Sequence, residues 1–149
     1  MDKNQNCSLL TVIYQNAEMG LKALEYLRPK VKSANLADDI AILRAEYSDV
    51  MRSADRLSKD CGDKPKPANP FAKMGLWANI KMKTLADDSA ENLAEMIIVG
   101  AFMSVVDLIK AIAKNPLAES DSAELARRQK EVNEGAIKTF TAYIEKSKI

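Results

Sequence analysis

A chain of 149 residues, 47% of them apolar, fits one domain and can bury a core without disulfide or metal staples. Lys and Arg number 22 against 21 Asp and Glu, and the signs are interspersed, which excludes a basic footprint for nucleic acid and an acidic tail. Histidine is missing altogether, which removes the commonest metal ligand and general base, and five glycines with five prolines are too few for a disordered chain.

The N-terminal MDKNQNCSLL puts charged and amide residues where a signal peptide needs an apolar run, so a soluble cytoplasmic protein is expected. Ser8 can cap a helix over residues 9–28, stopped by Pro29 because the residue before a proline avoids the helical region. Asn35 can cap a second helix, 35–59, whose Leu36, Ile40, Leu43, Tyr47, Val50, Ala54 and Leu57 form a one-sided stripe, with Gly62 available to end it. Residues 61–69, CGDKPKPAN, read as a linker that their prolines keep extended.

A shorter helix, 70–85, carries Trp77 and three lysines among apolar residues. Asp88 with Glu91, and Asp121 with Glu124, have the spacing of capping boxes and open helices 89–114 and 121–146. Between Glu95 and Asp107 the fourth helix has no charge and is apolar in every direction, which predicts a buried central helix; the run is short of the roughly 20 apolar residues of a bilayer span, so no membrane association is expected. Met74, Trp77, Met82, Met96 and Met103 are expected in the core; an exposed apolar face on the short helix would make it a site for self-association or a partner. The lysines Lys64, Lys66, Lys81 and Lys83 are expected at the solvated surface.

Two hairpins separated by residues 61–87 leave enough chain to run the length of a bundle, and one long crossover is the ferritin-like connection. The expected fold is therefore all-α, a ferritin-like four-helix bundle with an extra short helix in the crossover. The segments IYQNAEMGLKALEYL, AEYSDVM and NIKMKTLADDSAENLAEMIIVGAFMSVVDLIKAI resemble an uncharacterised family of small ferritin-like helical proteins from Firmicutes. Members of that family often carry His at the position of Asn92, and this chain departs there.

Ferritin-like bundles often hold two metal ions with a Glu on each of two helices and Glu-x-x-His on the other two. Carboxylates occur here on all four helices, but helical phase puts Glu18, Glu131 and Glu134 on polar sides. It places Glu95 among Ile98, Phe102, Val106 and Ile109, with Glu46 at the flank of its stripe. Oxygen ligands alone suffice for Mn²⁺, Mg²⁺ or Ca²⁺, so Glu46 and Glu95 make a divalent-metal site, iron included, the alternative to a cofactor-free protein.

The apolar stripes also contain amides. Asn16, Gln129 and Asn133 are expected to join Glu95 in one buried polar layer that fixes helix register. Cys7 and Cys61 come to the same end of the first hairpin, where a disulfide or reactive pair is conceivable, but two unrelated free thiols are the expectation for a cytosolic chain. The function expected is that of a non-enzymatic bundle acting through its surface, as a homo-oligomer or with a protein partner. No nucleic acid or membrane is expected among its partners.

Overall fold

The computed structural model describes residues 2–62 and 65–146, so Lys64 of the lysine runs lies outside them. The described chain is helical throughout and contains no strand: α1 Lys3–Leu27, α2 Ala34–Leu57, α3 Pro70–Ala86, α4 Ala90–Lys114 and α5 Ser120–Ile144. Short 3-10 turns, Arg28–Lys30 and Lys59–Cys61, end the first two helices. Pro29 cannot donate into a continuing helix, and Gly62 takes φ 82°, a left-handed turn favoured by glycine.

The helix starts differ from those expected. Asp2, not Ser8, caps α1, its carboxylate accepting from Gln5 N at 3.1 Å. The extra turns are held because Asn6 and Gln5 accept from the backbone of Glu119 and Leu117 at 3.1 and 2.8 Å. Ser33 replaces Asn35 as the cap of α2, and Ser89 replaces Asp88 as the cap of α4. Helix α5 begins with Glu119 at the cap position and no side-chain cap bond, so Asp121 lies inside the first turn.

These contacts fix the ends of the molecule. The start of α1, the α4–α5 turn and the end of α2 share one end, where Asp2 N donates to Leu117 O at 2.8 Å and Cys7 is bonded to Cys61. At the other end Tyr143 donates to Asp39 at 2.5 Å and Lys32 pairs with Asp88 at 3.2 Å. The segment between α2 and α4 therefore travels from one end to the other. Helix α1 packs against α2 and α4, α5 against α4 and α2, and α3 lies on α1. The shared core runs from Leu9, Leu10 and Ile13 of α1 through Leu43 and Val50 of α2 and Leu93 and Leu108 of α4 to Leu125 and Phe140 of α5.

Helix α4 is not buried all round. Its inward arc is Leu93, Ala94, Ile97, Ala101, Leu108 and Ala111, whose small alanines allow the close packing against α5. The opposite arc faces out: Phe102 and Met103 are each 62% exposed, and Val99 and Ile109 are exposed as well. Phe71, Met74, Trp77, Met82 and Leu85 are likewise exposed on α3, whose buried residues are Ile80 and Thr84. The expectation that Met74, Trp77, Met82 and Met103 are core is thus overturned, and only Met96 is partly buried against the core. Lys81 and Lys83 are at the surface, Lys81 with its ammonium 4.7 Å from the Trp77 ring centre.

Candidate functional site

Three buried amides from two helices converge. Asn16 on α1, Gln129 and Asn133 on α5 are buried, the latter two completely. Gln129 Nε2 donates to Asn16 Oδ1 at 3.0 Å, and Asn133 Nδ2 donates to Gln129 O at 3.0 Å and to Asn16 Oδ1 at 3.5 Å. Asn16 Nδ2 donates onward to Ser104 O of α4 at 3.2 Å. A fourth side chain, Tyr47 of α2, closes the layer by donating to Asn133 Oδ1 at 2.6 Å. Gln129 Oε1 is the one buried side-chain atom of the layer with no partner among the described residues.

Tyr47 was hidden in its stripe as an ordinary apolar residue; the available signal was its hydroxyl, which needs a partner when buried. Its ring lies against Gly20 of α1, where a Cβ would approach to 2.6 Å, so glycine there makes room for it. Burial, and secondarily the neighbouring Glu46 carboxylate, pushes the Tyr47 phenol far above its usual range, and it therefore stays a donor.

Glu95 does not belong to this layer. It shares a face with Phe102 and Val106 as its phase requires, but that face points outward and Glu95 is exposed. Glu46 is half-buried on α2, a helix that packs against α1 and α5. Burial raises its carboxyl above the usual range, Arg128 opposes this, and Asp49 adds to it. No group of three or more metal-ligating side chains is assembled among the described residues.

A raised carboxyl favours the protonated form in the folded state. The stability Glu46 contributes is present below its ordinary value of 4.5 and is lost as pH rises through the higher folded value. Wild type should therefore lose stability relative to Glu46→Gln as pH is raised across that interval, which denaturant melts at about pH 4 and about pH 6 will read.

Glu18 corrects a second expectation. It is 6% exposed despite lying on the polar side of α1, because the crossover covers it. Glu18 Oε1 accepts from Ala68 N at 2.8 Å and pairs with Lys73 of α3 at 3.0 Å, while Gln15 donates to Lys66 O at 3.2 Å. The polar side of α1 thus satisfies the backbone of a proline-rich segment that cannot pair with itself. Glu18→Ala, which strands the buried Ala68 N–H, should cost about 1.5–3 kcal/mol in denaturant unfolding, and Glu18→Gln, which keeps an acceptor, distinctly less.

Cys7 and Cys61 are joined in a disulfide with Cα atoms 5.7 Å apart, against the expectation of unrelated free thiols. The hairpin geometry that brings the end of α2 to the start of α1 is the reason.

The largest unexplained feature is the outward apolar surface of α3 and α4. By length and composition alone α4 is also long and apolar enough to cross a membrane, and only 22% of its most apolar 18-residue stretch is buried. A soluble core helix of the same composition is mostly buried, and α4 is not. Compared with protein-family models, curated proteins and solved structures, the chain matches none.

Proposed function

We propose that this chain is a non-enzymatic, ferritin-like four-helix bundle that acts by covering the outward apolar faces of α3 and α4. The polar layer serves to fix helix register. The observation that carries this reading is the exposure of large apolar side chains in two runs, with Phe71 82% exposed and Phe102 62% exposed. Patches of this kind mark interaction sites when they are contiguous along an element.

What supports the ferritin-like connection is the single crossover between opposite ends, with α1 antiparallel to both α2 and α4. The resemblance to the Firmicutes family and a cytoplasmic location are parts of the same proposal. What supports a structural role for the layer is that its bonds join α1, α2, α4 and α5, each amide being used to hold another helix.

Oxidative footprinting of Met74, Met82 and Met103 as protein concentration rises, and again with lipid vesicles added, tests the reading. Protection of these methionines in an associated state is expected. Oxidation at the rate of free methionine under every condition would overturn it, as would calorimetric binding of Mn²⁺ or Fe²⁺ at near one-to-one stoichiometry that is lost in Glu46→Gln.

A further inference from the structure

The outward face of α4 has a polarity along its length. Glu91 and Glu95 lie toward its start, Val99, Phe102, Met103 and Val106 occupy the middle, and Lys110 and Lys114 lie toward its end. Steps of four and three residues keep Glu91, Glu95, Val99, Met103, Val106, Lys110 and Lys114 on one stripe, and all are exposed except the half-buried Val106. Glu95 is more than a turn inside the start of α4 and Lys110 more than a turn inside its end, beyond the reach of the ordinary helix-dipole bias.

This stripe is its own complement when reversed. A second helix laid antiparallel about an axis between Phe102 and Met103 sets Val99 against Val106, Phe102 against Met103, Glu95 against Lys110 and Glu91 against Lys114. A parallel partner would set Glu95 beside Glu95 and Lys110 beside Lys110. Within one chain, Glu91 and Glu95 are like charges four apart, as are Lys110 and Lys114, and both pairs repel until an opposite charge faces them. Glu91 has Lys146 at 4.0 Å, whereas Glu95, Lys110 and Lys114 have no ion-pair partner among the described residues.

We infer that the occupant of this face is a second copy of the chain, with α4 pairing antiparallel on α4 across a two-fold axis through the Phe102–Met103 step. The inference rests on the surface reading above and names its partner. A two-fold contact uses the same patch on both subunits and closes at the dimer, so it removes the apolar stripe of α4 without starting a fibre. The apolar centre supplies the attraction, and the charged ends set orientation and register, as opposite charges do along other helix pairs.

Sedimentation equilibrium of the full chain and five variants tests it. Wild type is expected to be a dimer; Glu95→Lys and Lys110→Glu are each expected to raise the dissociation constant by about tenfold or more, since each reversal acts at two symmetric contacts. The double variant E95K/K110E is expected to return it to within about threefold of wild type, because both pairs are restored with their signs exchanged. Glu131→Lys, an exposed reversal on α5, is expected to change nothing, and circular dichroism checks that each variant folds. A dimer that Phe102→Glu dissociates but the charge reversals leave alone would overturn the antiparallel pairing and leave the surface reading standing. So would a monomer whose methionines are protected only by vesicles. A monomer with unprotected methionines throughout would overturn both.

Discussion

Opening the Cys7–Cys61 bridge is expected to lower the free energy of unfolding by about 4 kcal/mol, the chain-entropy value for a cross-link between residues 54 apart. The bridge acts on the part of the chain that otherwise has least to hold it. It fastens the end of α2, and with it the start of the crossover, to α1, a few residues before the segment settles on Gln15 and Glu18. In the reduced chain that segment must be ordered by hydrogen bonds and the buried Pro65 and Ala68 alone. Denaturant unfolding of the oxidised protein, the reduced protein and the Cys7→Ser, Cys61→Ser double variant reads the effect. The last two should unfold at the same, lower midpoint. Midpoints unchanged by either treatment would show that the crossover is held without the bridge. A reducing cytosol keeps such pairs as thiols, so the lower midpoint is the one that applies there.

The second large effect is expected in the polar layer. Asn133→Leu removes the acceptor of the Tyr47 hydroxyl and a donor to Asn16, leaving the hydroxyl buried without a partner, and should cost about 3 kcal/mol. Tyr47→Phe removes the other partner of the same bond and should cost about 1–2 kcal/mol. When both are changed no orphaned group remains between α2 and α5, so the double variant should cost less than the sum by about 1 kcal/mol or more. Additive costs would mean that the 2.6 Å bond contributes little and that the amides are held by the Gln129 and Asn16 contacts.

How much of this was legible depends on where each residue's contrast lies. Asn16, Gln129 and Asn133 were readable because each interrupts an apolar stripe whose other side is plainly polar, and a buried amide must be answered by another polar group. Helix α4 offers no such contrast. Its phase was readable, since Glu95 shares a face with Phe102 and Val106, but the direction of that face was not, because both arcs are apolar. The usable signal was the placing of alanines and charges: Ala94, Ala101 and Ala111 lie on the arc that α5 approaches, while all the charges lie off that arc. Glu18 was misread for a related reason. Pattern assigns it to the solvent side of α1, and only the path of the crossover, set by the Cys7–Cys61 link and its own prolines, brings a backbone donor over it. Helix extents, the start of α1 excepted, followed from prolines and from the periodicity of the stripes. The caps did not, because serine, asparagine and aspartate stand close together at each start and tertiary contacts choose among them.

The most direct test of the claim that a second copy of the chain covers the outward apolar face of α4 is the molar mass in solution of wild type and of the Phe102→Glu, Met103→Glu variant, measured by light scattering over a wide range of concentration. Wild type is expected to exceed the single-chain 16.4 kDa and the variant, folded by circular dichroism, to sit at it. Wild type at 16.4 kDa up to its solubility limit, or a variant of unchanged higher mass, would contradict it.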